Sequence, residues 1–377
     1  MTAEPTTVSG RLVLHDRVVA GRVRVVDGWI VSVEEAARDR APEGPYVAPG
    51  FIDLHVHGWG GHDAMGSAEE LDGMARALLQ HGVTSFLPTA VTASFPGLTT
   101  FASTVRGWMA AAPDDGAEPL GFNLEGPFLA DARRGVHNPA WIRDPADVAT
   151  GELEGLLDGL RLTTVAPERP GAIELIGWLT SRGVRVSLGH SAATIVQAGE
   201  GYRAGAVSTT HLFNAMSGVD HHAPGLTVAA LTADDVYVEL IADGHHVDRA
   251  VWPIITRTKP AGRLLLVSDA VPLAGTGEGR STMGGLEIEV RGDRATMVGG
   301  GALAGSVIAL DRAVQNLVGS GVSLPNAVAA ASANPAALLG LADSGRIAVG
   351  AAADLVELDD ALTVRRVMRR GRWYPAG

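Results

Sequence analysis

Ala48-Pro49-Gly50-Phe51-Ile52-Asp53-Leu54-His55-Val56-His57 is the stretch on which the reading of this chain turns. It is an apolar run that ends in two histidines two residues apart. Side chains on a strand repeat with a period of two, so both imidazoles point to the same side. There they can share one ion. Seven further apolar runs follow, at residues 83–89, 120–124, 162–165, 184–188, 207–210, 236–241 and 264–267. Segments of helical length separate several of them, such as 68–80, 170–181 and 192–203. Eight such strands, alternating with helices, predict an α/β chain built on a (β/α)8, TIM-like barrel. Residues 302–320 and 324–339 are expected to be helices that close it, and the Gly-rich stretch 271–301 a β-excursion or lid.

Both ends of the chain read differently. Residues 9–35 alternate apolar and polar in short runs, and Asp27-Gly28 between two of these is a hairpin signal. Residues 345–349, 354–358 and 364–368 repeat that pattern near the C-terminus. The expected division is a small β-sandwich domain made by residues 1–48 together with 345–377, and a barrel over 49–344.

Five of the predicted barrel strands end in a side chain that can bind a metal. After His55 and His57 come Glu125, His190, His211 and Asp269, each directly following an apolar run. Barrel enzymes assemble their sites from C-terminal strand ends, where residues distant in sequence converge. One histidine or acid at a strand end is ordinary; six at five strand ends point to a shared metal site. Imidazole and carboxylate suit Zn²⁺ first, with Fe²⁺, Mn²⁺ or Co²⁺ as alternatives, and one or two ions are expected. Asp269 is then the group to take a proton from water and pass it to a leaving nitrogen. Some barrel hydrolases bridge two metals with a carboxylated lysine. The single lysine, Lys259, stands just before the last strand, so Glu125 is the expected bridge.

Composition bounds the rest. The 377 residues carry a net charge of −12 and contain no Cys, which excludes disulfides and thiolate metal sites. The one dense basic run, Arg365 to Arg372, is too small for a nucleic-acid surface. No apolar stretch reaches the ~18 residues of a membrane span, and no signal-peptide pattern opens the chain, so a cytoplasmic enzyme without nucleic-acid or membrane partners is expected.

The same segments resemble the amidohydrolase superfamily, and more closely its N-acetylglucosamine-6-phosphate deacetylases. The resemblance lies in Pro49–Gly58, Asn123-Leu124-Glu125-Gly126-Pro127-Phe128, Gly189-His190-Ser191 and Thr210-His211-Leu212-Phe213-Asn214-Ala215-Met216. It continues through Ile241–Asp248 and Val267-Ser268-Asp269-Ala270, in order along nearly the whole chain. It implies a homodimer that removes the acetyl group of an amino-sugar phosphate. It implies Glu125, His190 and His211 as principal metal ligands, His55 and His57 as a second-metal pair, and Asp269 as acid/base. Val136 and His137 match a substrate-contacting segment near the acetamide, with His137 assisting catalysis. Asn214, Ala215 and His246 match phosphate and sugar contacts, and Leu303, Ala304 and Gly305 a loop over the sugar. One departure stands out. His222 occupies the position of an Arg that reaches the phosphate in the family, often across the dimer interface. Histidine binds phosphate singly and only when protonated. Phosphate recognition is therefore weakened, or supplied by Arg133, Arg134 or His221, and a different or unphosphorylated N-acetyl sugar is the alternative substrate.

Overall fold

The computed structural model describes residues 5–36 and 43–377. Parts of the expected N-terminal segment, 1–4 and 37–42, therefore lie outside the described residues.

Eight parallel strands make the barrel: β1 (Phe51–Val56), β2 (Val83–Val91), β3 (Phe122–Glu125), β4 (Leu160–Val165), β5 (Arg185–Leu188), β6 (Ser208–Thr209), β7 (Tyr237–Leu240) and β8 (Leu264–Leu266). They pair in chain order from β1 to β8. The ends meet through backbone bonds at the mouth: Asp269 N–H donates to His55 C=O at 2.8 Å, and His57 N–H to Ala270 C=O at 2.9 Å. Closure therefore sets the last ligand beside the first pair. The strands are apolar because both faces are covered; all nine residues of β2 are buried.

Each strand is followed by a helix, in order Ala68–Leu79, Phe95–Met109, Thr150–Leu157, Ala172–Thr180, Ile195–Arg203, Leu226–Thr232, Trp252–Thr258 and Leu310–Gly319. Ser67, Ser94 and Thr194 cap three of these starts with side-chain oxygens. Two expectations need correction. Residues 302–309 form a loop before the last of these helices, and the segment 324–339 is two helices, Leu324–Ala331 and Ala333–Leu339. The break is at Ser332, and Asn334 spends its amide on the carbonyls of Ala261 and Leu264, at 2.8 and 2.7 Å.

The terminal segments form one seven-stranded sheet that joins Thr6–Val13, Val18–Val26, Trp29–Glu35 and Tyr46–Pro49 to three C-terminal strands. Its apolar face includes Leu12, Val23, Ile30, Val47, Leu355 and Met368. Asp27 and Gly28 both take positive φ, 47° and 81°, as the two-residue hairpin requires. The Gly-rich stretch holds a separate three-stranded antiparallel sheet, Gly279–Met283, Leu286–Arg291 and Arg294–Met297, an excursion from the barrel as expected.

Candidate metal centre

All six predicted ligands converge at the C-terminal mouth. Glu125, the last residue of β3, stands at the centre. Its Oε1 lies 2.9 Å from His190 Nε2 and 2.8 Å from His211 Nε2. Its Oε2 lies 3.2 Å from His57 Nε2. His55 Nε2 is 3.2 Å from His57 Nε2 and 3.6 Å from Glu125 Oε1. Asp269 Oδ1 lies 3.1 Å from His57 Nε2. Two groups of three ligand atoms result, His55/His57/Glu125 and Glu125/His190/His211, and they share Glu125.

The donor set fits a metal. His57 Nδ1 faces Thr89 C=O at 3.1 Å, His190 Nδ1 faces Arg133 C=O at 2.8 Å, and His55 Nδ1 faces Glu239 Oε2 at 3.3 Å. Oxygen acceptors at Nδ1 put the ring proton there and leave the Nε2 lone pair free. Lone pairs then face one another, with His55 Nε2 and His57 Nε2 only 3.2 Å apart. Such an arrangement is repulsive until something positive sits among the nitrogens. Protons take that place when no ion does. Burial would lower His57, but Asp269 and Glu125 lift it to about 9. Burial would also lower His55, yet Glu125, Glu239 and Asp269 hold it well above the usual imidazole range. Burial would raise Glu125, but His55, His137 and His190 keep it well below the usual carboxylate range. Asp269 is pressed to about 2 against its burial, chiefly by His57 and His55. Burial takes His190 down to about 4.

The backbone is bent to make this geometry. His190, His211 and Asp269 have positive φ, 46°, 25° and 50°. Such conformations cost on the order of 1–3 kcal/mol each and persist where the surroundings fix them. Here the neighbours do so. Ala130 N–H donates to His190 C=O at 2.9 Å, Glu239 Oε2 accepts from His211 N–H at 3.1 Å, and Ser306 N–H donates to Asp269 C=O at 2.7 Å. Two glycines allow the close approach. A Cβ on Gly126 would meet Thr92 Oγ1 at 2.2 Å, and one on Gly305 would meet Asp269 C=O at 2.7 Å.

The cluster floors a cavity of about 340 Å³. His57, Glu125, His190, His211 and Asp269 line it, whereas His55 lies deeper, with no exposed surface. Val136, His137, Asn214, Ala215, His246, Leu303, Ala304 and Gly305 also line it, together with Met283 from the excursion. His222 does not: it is exposed on the loop 218–223, its N–H bound to Asp220 Oδ1 at 2.8 Å. The expected contact of His222 is therefore not made within a single chain. Of the three alternative phosphate contacts, His221 and Arg134 stay outside, and Arg133 is on the wall.

His137 is held as a donor. Thr92 N–H reaches its Nδ1 at 3.2 Å, so the ring proton sits on Nε2, 3.2 Å from Glu125 Oε2. His246 Nδ1 lies 2.7 Å from Asp243 Oδ2, while His245 turns away to Asp293. Thr92, Asp243 and Glu239 escaped the reading of the sequence. Glu239 carried a signal, a charged residue inside an apolar strand, which is rarely buried without purpose. Thr92 carried none.

The chain is similar to known proteins along nearly its whole length. Residues 46–374 match the amidohydrolase family. N-acetylglucosamine-6-phosphate deacetylase of Bos taurus is 40% identical, over 94% of this chain and 90% of its own length. N-acetylgalactosamine-6-phosphate deacetylase of Escherichia coli O157:H7 is 37% identical, over 93% and 94%. The Thermotoga maritima N-acetylglucosamine-6-phosphate deacetylase structure superposes with a TM-score of 0.92 at 32% identity, covering 98% of this chain and 100% of its own. A mutant of the Mycobacterium smegmatis enzyme, solved in complex with N-acetyl-D-glucosamine-6-phosphate, gives 0.90 at 34%, covering 98% and 99%. With a family match over most of its length and relatives that align across nearly all of it, this chain belongs to the amidohydrolase family.

Proposed function

We infer that this chain is a metal-dependent deacetylase that hydrolyses N-acetylglucosamine 6-phosphate to glucosamine 6-phosphate and acetate. The observation that carries this reading is Glu125 shared between two histidine pairs, with Asp269 and His137 against the same cavity. Glu125, His190 and His211 hold one divalent ion, and His55 and His57 join Glu125 for a second. Zn²⁺ is the first choice among metals that accept such ligands. When bound, the ion supplies Lewis-acid polarisation of the amide carbonyl and makes water easier to deprotonate.

The chain's own groups do the rest. Asp269 accepts a proton from water as its oxygen forms a bond to the acetamide carbon. It then returns that proton to nitrogen as the C–N bond breaks, giving acetate and a free amine. His137 points its Nε2–H to where negative charge grows on the acetamide oxygen. Leu303, Ala304, Gly305 and Met283 cover the sugar and keep bulk water out.

Asn214, Ala215 and His246 face the far end of the substrate. Arg133 is the one lining side chain whose positive charge does not depend on pH, and no hydrogen bond or ion pair of its guanidinium is seen among the described residues. It is the group that makes up for His222 in binding phosphate. The enzyme acts as a homodimer in the cytoplasm. Exposed Val219 is on the same loop as His222, and the Ile195 N–H bond to Pro224 C=O joins that segment to the one that carries exposed Ile195 and Val196. A partner against that face would bring His222 toward the second cavity. No helix of the described residues is long and apolar enough to cross a membrane.

The relative that acts on the galactosamine epimer keeps a second substrate in view. Acetate release from N-acetylglucosamine 6-phosphate, N-acetylgalactosamine 6-phosphate and free N-acetylglucosamine tests the reading. Fastest turnover of the first supports it. Preference for the second moves the assignment to the epimer, preference for the free sugar removes the phosphate, and no acetate from any of them contradicts the deacetylase.

A further inference from the structure

We propose that Glu239 is a positioning residue that builds the second cation group, by fixing His55 with its Nε2 free. This rests on the reading that the cluster binds metal. Glu239 sits in the middle of β7, is 1% exposed and does not line the cavity, so it does not touch substrate. Its Oε2 lies 3.3 Å from His55 Nδ1, the one hydrogen-bond partner of that nitrogen among the described residues, and accepts His211 N–H at 3.1 Å. Its Oε1 is buried with no partner. An acid in such a place is costly unless positive charge lies close by.

The three oxygen-anchored imidazoles are not treated alike. His57 and His190 give their Nδ1 protons to backbone carbonyls, which are present whatever the residue. Among the ligand histidines, His55 alone gives its proton to a carboxylate. β1 and β7 are not paired neighbours, so this contact spans the position of β8 and depends on one side chain. A carboxylate there fixes the tautomer, orients the ring and makes Nε2 a stronger ligand. Asp53 completes the bracket from below, accepting His55 N–H at 3.3 Å. Without Glu239, the ring of His55 keeps no acceptor at Nδ1. A proton on Nε2 then competes directly with the metal. The group Glu125/His190/His211 loses only the bond to His211 N–H and keeps the Nδ1 anchor of His190 at Arg133 C=O.

The test is Co²⁺ titration of metal-free wild type, Glu239→Ala and Glu239→Gln, followed by elemental analysis, the visible Co²⁺ spectrum and thermal melting of each metal-free protein. Wild type is expected to take two equivalents. E239A should lose about 10–100-fold in affinity for the equivalent held by His55 and His57 and distinctly less at the other, where only the bond to His211 N–H goes, with the metal-free melting point near wild type. E239Q, whose amide oxygen can still accept the Nδ1 proton, should recover much of the loss, and it serves if E239A does not fold. Two unchanged steps in E239A, an equal loss at both, or a wild type that takes one equivalent overturns the proposal. A wild type that takes no metal overturns the metal reading itself.

Discussion

The two ligand groups around Glu125 are built by opposite means. His55 lies near the end of a strand and His57 just past it, where alternation puts both rings on one side. His190 and His211 come from two different loops and reach Glu125 only because each takes a left-handed backbone conformation. The first pair has its geometry from the strand and needs a side chain, Glu239, to fix a ring. The second has one ring, His190, on a backbone anchor and needs its surroundings, Glu239 at His211 N–H included, to hold a strained chain. A strand pair is therefore vulnerable to loss of one carboxylate, and a loop pair to anything that frees the backbone.

The largest effect should come from the residue the two groups share. Glu125→Gln removes a charge from both, and turnover should fall roughly 10⁴–10⁶-fold, as when one member of a unit that acts together is lost. Elemental analysis should show both ions depleted; full metal content would separate Glu125 from the centre. Next is Asp269→Asn, which keeps the backbone bonds to His55 and Ser306 but cannot carry the proton. It should retain metal and lose roughly 10²–10⁴-fold in kcat. A near-normal rate would remove Asp269 from proton transfer.

His57→Asn sharpens the contrast between the groups. It should empty only the strand pair, weakening one metal-binding step by more than the roughly 10–100-fold that loss of an outer hydrogen-bond partner costs. Calorimetric titration reads this directly, and equal weakening of both steps would show that the groups are not separable. The smallest effect lies at the far end of the cavity. Arg133→Gln should raise KM for the 6-phosphate about 10-fold, the lower range for a charged hydrogen bond, with kcat little changed. An unaltered ratio of kcat/KM between phosphorylated and free sugar would mean that Arg133 does not face the phosphate.

Much of this was legible because strand physics is local. Val83 to Thr89 reads as a buried strand from its own residues, and each ligand lies at or just past the end of such a run. The break at Ser332 was less visible, since Asn334 earns its place through carbonyls about seventy residues away in sequence. The loop over 302–309 was hidden by a composition that also suits a helix, until Gly305 with φ of 106° is seen against Asp269. Glu239 needed the barrel to be closed first, because its partners lie on other strands. His222 shows the converse. Its position in a motif suggested a contact that the fold of one chain does not make.

Anomalous diffraction from crystals of the metal-loaded protein tests the central claim most directly. A peak is expected about 2.0–2.3 Å from Glu125, His190 and His211, with a second beside His55 and His57. Metal-loaded crystals with no peak at the barrel mouth, and the ions bound elsewhere, would contradict it.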